Sequence, residues 1–149
     1  MYDSLYDFPI EEIGQGKPVY KDREDIYFNI SHSGNVVVVV VSNVAVGVDI
    51  DGNRNFRDNM IDRFYSSNEA TWVKENELYK NDRFFRIWTM KEAFSKLTGD
   101  GLIRTISNVE FIVEKKLQSD SVHCIYNGKD LDVTIKEYKY NGYNLTVIY

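Results

Sequence analysis

Hydrophobic and polar positions change their rhythm twice along this chain. From Ile26 to Asp51 apolar residues come in short β-rich stretches, 26 to 30, 35 to 42 and 44 to 51, separated by Ser, Gly and Asn turns. The middle stretch holds the unbroken run Val36 to Val41 and has no polar face, so its outer side is expected either to be covered or to meet another chain. After a polar loop from Gly52 to Asp62, Ser66-Ser67-Asn68-Glu69 has the capping-box pattern and predicts a helix over 70 to 80. A second helix is predicted by Phe84, Phe85, Ile87, Trp88, Ala93, Phe94 and Leu97, with Gly99 as its stop. Beyond it, segments 108 to 114, 121 to 126, 130 to 138 and 143 to 149 read as an antiparallel meander closing on the last residue. Ahead of Ile26, two prolines, Gly14, Gly16 and the charged run Lys21 to Asp25 predict an irregular lead-in. This order predicts the α+β class: an antiparallel sheet with helices packed on one side, in one domain spanning 1–149.

Composition narrows the possibilities. A chain of 149 residues is enough for one ordinary core. Its net charge of -5 argues against nucleic acid as a partner, although a local basic pocket for one small phosphorylated ligand is compatible with it. The single cysteine, Cys124, has no intramolecular disulfide partner and lies in an apolar segment, as a buried, inert thiol would. A reducing, cytoplasmic location is expected. Met1 to Glu12 carries four acidic residues and no basic one, unlike a signal or transit peptide. The Val36 to Val41 run is too short to span a membrane.

The candidate chemistry lies in a few charged positions. Asp49 and Asp51 alternate on a strand and should leave the same face, within roughly 7 Å of each other. Two ionised carboxylates brought to about 4 Å would repel by about 4 kcal/mol at an effective dielectric near 20, which calls for a proton, a cation or full solvation. Glu92 and Lys96 lie one helical turn apart, and a surface ion pair is their simplest reading. Three carboxylates could instead hold magnesium, which prefers oxygen ligands and shares them with substrate phosphates; Lys91 and Lys96 would then contact phosphate as point charges. His32 sits among small hydroxyl residues in Asn29 to Gly34, where a histidine satisfied by backbone is the structural alternative. His123 reads as structural. Gly16-Lys17-Pro18 is a stiff turn that could present one lysine to an anion.

In combination these segments are more specific than they are singly. Asn29-Ile30-Ser31-His32-Ser33-Gly34, Val46-Gly47-Val48-Asp49-Ile50-Asp51, and Trp88 to Lys96 followed by Gly99-Asp100-Gly101-Leu102 resemble, in order and spacing, the Sfp-like class of the 4'-phosphopantetheinyl transferase superfamily. Gly16-Lys17-Pro18 matches the same class. The resemblance implies magnesium-dependent transfer of phosphopantetheine from coenzyme A to a serine of an acyl or peptidyl carrier protein. It implies Asp49 and Glu92 as principal metal ligands, with Asp51 at an intermediate position that a water could bridge. Glu92 would also take the serine proton, directly or through water, and Lys96, assisted by Lys91, would steady the pyrophosphate. Asn29, Ser31 and His32 would lie on the coenzyme A side, the last two at its 3'-phosphate, with Gly16, Lys17 and Pro18 along the adenine and its phosphates.

Such enzymes usually have two similar halves. Here only about 15 residues, none basic, precede Gly-Lys-Pro, so the resemblance implies a shortened first half, 1–43, and a complete second half, 44–149. Self-association, or a second polypeptide supplying the missing half, is then expected at the valine face. The competing reading is a noncatalytic remnant that serves as a binding or structural subunit. A magnesium-dependent phosphohydrolase would need a positioned water that no residue identifies. Arg54, Arg57 and Arg63 could meet an acidic carrier, or simply form a solvated basic loop.

Overall fold

The computed structural model of the chain describes residues 9–52, 54–117 and 120–149. Residues 1–8, the start of the expected lead-in, lie outside it. The remainder of that lead-in is ordered as a hairpin: β1 (Ile10–Ile13) pairs with β2 (Lys17–Tyr20). Next come β3 (Tyr27–Ser33), β4 (Val36–Ser42) and β5 (Gly47–Gly52), the three strands predicted, each shifted by a residue or more.

Between β5 and the helical layer, the loop expected over 52 to 62 gives way to a short helix, α1 (Asn59–Phe64). The capping box forms as its sequence predicts. Ser66 Oγ accepts the Glu69 amide at 3.2 Å and Glu69 Oε2 accepts the Ser66 amide at 2.8 Å, which starts α2 (Ser67–Lys74). This helix ends before the predicted Lys80, and a 3-10 turn (Glu77–Tyr79) leads into α3 (Lys80–Thr98). Gly99, at φ 75°, ends α3, and α4 (Leu102–Ile106) follows without a clear apolar period to announce it.

The C-terminal segments are β6 (Val109–Glu114), β7 (Ser121–Tyr126), β8 (Lys129–Leu131), β9 (Ile135–Tyr140) and β10 (Tyr143–Ile148). Every ladder is antiparallel, but the expected single meander divides. β6-β7-β8 form one sheet, while β10 inserts between β5 and β9 in another, with Thr146 opposite Asp49. The stretch predicted as one strand, 130 to 138, is where the division falls.

Helix α3 packs against both three-stranded sheets and is buried nearly all round. Its Phe84, Phe85, Ile87, Met90, Ala93 and Phe94 meet Ile61 of α1, Val73 of α2, Val109 and Phe111 of β6, Cys124 of β7 and Ile148 of β10. Cys124 is buried and unpaired, as expected, and apolar burial pushes its thiol up to about 12. Gly47 lets β5 approach α3 closely, since a Cβ there would overlap the Ala93 carbonyl oxygen. That approach brings the end of β5 to the face of α3 that carries Glu92 and Lys96.

Candidate functional site

Strand β3 runs beside β5 in the same direction, and side chains rather than a backbone ladder join them. Asn29 Oδ1 accepts the Val48 amide at 2.9 Å, and Ser31 Oγ accepts the Ile50 amide at 3.3 Å. Ser31 then donates to Asp49 Oδ1 at 2.7 Å, and Ser33 donates to Asp51 Oδ1 at 3.2 Å. The period of two therefore aims Asn29, Ser31 and Ser33 at β5, and alternation turns Ile30 and His32 the other way. The polar positions of this motif thus position the two aspartates.

Lys96, reaching from α3, donates to the same oxygen of Asp49 at 2.7 Å and to Ser31 Oγ at 3.0 Å. Glu92, one turn earlier, has no hydrogen bond or ion pair with any described residue. Burial, and then the nearby Asp49 charge, push its carboxyl up to about 7, against the opposing pull of Lys96. Asp49 is 6% exposed, and burial raises its pKa as well, with Lys96 and Ser31 acting in the other direction. Two cavities meet at this point. One, of about 570 Å³, is lined by His32, Asp49, Asp51, Arg54, Trp88, Glu92 and Lys96. The other, of about 310 Å³, is lined by Gly16, Lys17, Pro18, Asn29, Ser95, Gly99 and Gly101. Ile30, Glu92 and Lys96 belong to both.

Among the described residues, no group of three His, Cys, Asp or Glu side chains converges closely enough to hold a metal. The donor chemistry nevertheless suits a hard cation. Asp49, Asp51 and Glu92 face one cavity, and Glu92, half-buried beside two other carboxylates, is a group whose ionised form a cation would stabilise.

The positions that the resemblance assigns to metal, coenzyme A or proton transfer border these cavities, except Lys91. It was expected at the phosphates with Lys96, but it is fully buried and points into the core, where it pairs with Glu69 at 2.9 Å and donates to the Val109 carbonyl at 2.6 Å. Helical geometry is the reason: Glu92 and Lys96 are four apart and share a face, whereas Lys91 is turned about 100° from Glu92. Glu69 also accepts the Phe111 amide at 2.8 Å. Burial raises the Glu69 pKa and lowers that of Lys91, and their mutual attraction opposes both shifts. Lys17 borders its cavity, but its ammonium is engaged by the Leu97 carbonyl at 2.8 Å, near the end of α3, and burial lowers its pKa. His123 stands away from both cavities, 3.7 Å from Glu114. Sequence reasoning missed Ser33 as a partner of Asp51 and the link from Arg54 to Asp51. The spacing of three between Asp51 and Arg54 was the available signal, and a loop reading hid it.

An α+β scaffold that gathers three carboxylates and a lysine beside Gly16-Lys17-Pro18, where a turn enters β2, is suited to phosphate chemistry. The family model of the 4'-phosphopantetheinyl transferase superfamily matches residues 45–148, and the chain belongs to that superfamily. It is 36% identical over 110 residues to the 4'-phosphopantetheinyl transferase psf-1 of Bacillus pumilus, covering 70% of this chain and 47% of that protein. It is 35% identical over 114 residues to the 4'-phosphopantetheinyl transferase gsp of Aneurinibacillus migulanus, covering 76% and 46%. With Sfp of Bacillus subtilis the identity is 35% over 88 residues, covering 58% and 39%. The matched part thus spans less than half the length of each of these relatives. Among the described residues no helix is long and apolar enough to cross a membrane.

Proposed function

We propose that the chain carries the catalytic half of a 4'-phosphopantetheinyl transferase, with coenzyme A as donor and a carrier-protein serine as acceptor. The observation that carries this reading is the meeting of Asp49, Asp51, Glu92 and Lys96 at one cavity in a chain of this superfamily. Residues 44–149 correspond in this reading to the second half of such an enzyme, and residues 1–43 to the part of the first half that borders the site. The setting is cytoplasmic, where coenzyme A and carrier proteins meet.

In the reaction the serine Oγ attacks the phosphorus that bears the pantetheine arm. The new P–O bond forms as the bond to the adenosine 3',5'-bisphosphate oxygen breaks. Glu92 accepts the serine proton, directly or through a water; a carboxylate that faces both cavities with no hydrogen bond or ion pair to a described residue suits that task. Lys96 balances charge on the pyrophosphate oxygens, and Ser31 keeps Asp49 in place beside it. Asp49 and Glu92, with Asp51 nearby, would hold magnesium, which would supply charge neutralisation on the pyrophosphate. Gly16, Lys17 and Pro18 form the wall for the nucleotide end, and His32 offers a donor at the cavity edge.

A second reading, a noncatalytic binding subunit, is favoured by the resident cations at both aspartates: Lys96 on Asp49 and Arg54 on Asp51. Intact-mass analysis after incubation with coenzyme A, magnesium and a panel of apo carrier proteins separates the two. The transferase reading expects a phosphopantetheine adduct that Glu92→Gln abolishes. No adduct on any carrier, together with no calorimetric binding of coenzyme A, would leave the binding subunit.

A further inference from the structure

The carboxylate of Asp51 is already engaged at both oxygens. Its Oδ1 accepts the Gly52 amide at 2.7 Å, Ser33 Oγ at 3.2 Å and Arg54 Nε at 3.2 Å, while its Oδ2 accepts Arg54 Nη2 at 2.7 Å. Three of these donors crowd Oδ1, and on Oδ2, which keeps one lone-pair site, the Arg54 guanidinium places its positive charge. At Asp49, by contrast, both side-chain donors converge on Oδ1, and Glu92 has no such donor among the described residues.

Arg54 is itself held in place. Its guanidinium lies over the ring of Phe85, 5.0 Å from the centroid, and Phe85 is anchored in the core of α3. The same side chain borders the 570 Å³ cavity of the site on one side and a neighbouring cavity of about 590 Å³ on the other. A planar fork stacked on an aromatic ring can hold both oxygens of a carboxylate in one orientation, which a lysine ammonium cannot do.

We propose that Arg54 is a positioning residue that keeps Asp51 from serving as a direct cation ligand, so that it sets how tightly the site binds a divalent ion and leaves Asp49 and Glu92 as the inner ligands. The inference rests on the proposed reading in which Asp49 and Glu92 bind a divalent cation with Asp51 beside them. Removing the fork frees acceptor sites on Asp51 and deletes a competing positive charge, so cation affinity rises when Arg54 is lost.

Manganese is the probe, added to the full chain without coenzyme A, with free ion read by electron paramagnetic resonance and magnesium as competitor. Arg54→Gln is expected to bind manganese about three- to tenfold more tightly than wild type, given a half-exposed arginine whose charge water partly screens. Arg54→Lys, which keeps the charge without the fork, falls between them, and Asp49→Asn loses binding. The half-exposed position of Arg54 leaves the core packing undisturbed, which circular dichroism of both variants checks. Equal or weaker manganese binding by Arg54→Gln, with Asp49→Asn still abolishing it, overturns the role of Arg54 and leaves the cation site standing. Absence of manganese binding in wild type and in Arg54→Gln overturns both.

Discussion

At the scale of single residues, Glu92 is a carboxyl whose ionised form burial and Asp49 disfavour more than Lys96 supports it. Its carboxyl is raised from an ordinary 4.5 to about 7, chiefly by burial. The folded state therefore holds this proton more tightly than the unfolded state. The stability that Glu92 contributes is fully present below about pH 4.5 and is lost as pH rises through about 7. Glu92→Gln removes that loss. In chelator-containing buffer the variant should be more stable than wild type at pH 8, by as much as about 3 kcal/mol, and nearly equal to it near pH 4.5. Urea unfolding at the two pH values measures the difference, and an equal difference at both would remove the buried carboxyl as its cause. Lys91 belongs to this scale too, because a lysine next to Glu92 in sequence is a core residue in space. Lys91→Met strands Glu69 as an unpaired buried carboxylate and should lower stability by about 3–5 kcal/mol, seen as a lower urea midpoint. A loss below about 1 kcal/mol would show that water reaches the pair.

Among the elements, the approach of β5 to α3 decides whether the site exists. Thr146 of β10 and Thr89 of α3 join hydroxyls at 2.9 Å across this contact, and Gly47 provides the space for it. Gly47→Ala should cost about 3 kcal/mol or more, because the obstructing atoms are helix backbone and have no rotamer to escape into. Its effect reaches function through geometry, since the strand that must move carries Asp49 and Asp51. Thermal unfolding checks the cost, and a melting temperature unchanged from wild type would mean that β5 shifts without strain. The Arg86 fork shows a different way of joining elements. It bonds Glu137 of β9 at 2.6 Å and Asp120, just before β7, also at 2.6 Å, tying α3 to both three-stranded sheets far from the chemistry.

For the molecule as a whole, the open question is what covers the β3–β4 hairpin. Val37, Val39 and Val41 are 67%, 57% and 59% exposed, and they share their face with Ile30 and His32, which line the site. Whatever buries the valines would therefore also stand over the cavity. Within the transferase reading, further polypeptide is expected there, from a second copy, a separate chain or more of the same one. Sedimentation at micromolar concentration should show self-association of the chain alone, or association once its partner is added, and Val39→Glu should shift either equilibrium toward the free chain. A chain that stays monomeric and well behaved, with no partner found, would count against this expectation.

Local chemistry made part of this protein legible from its sequence. The capping box at Ser66 and Glu69 announces a helix, which begins at Ser67, three residues before the predicted Ala70. The Asn127-Gly128 and Asn141-Gly142 pairs adopt positive φ and turn β7 into β8 and β9 into β10, because two-residue hairpins need that backbone and Asn-Gly tolerates it. The strand period put Asp49 and Asp51 on one face, and the helix period put Glu92 above Lys96. Neither rule could divide the C-terminal strands between two sheets, because pairing partners far apart in sequence are chosen by how α3 is buried on all sides. Nor could they show that Ser31 and Ser33 secure the aspartates, that Lys91 leaves the site for Glu69, or that Arg54 occupies Asp51. Those outcomes depend on which groups remain without water and partners once the chain closes, and only the tertiary structure decides that.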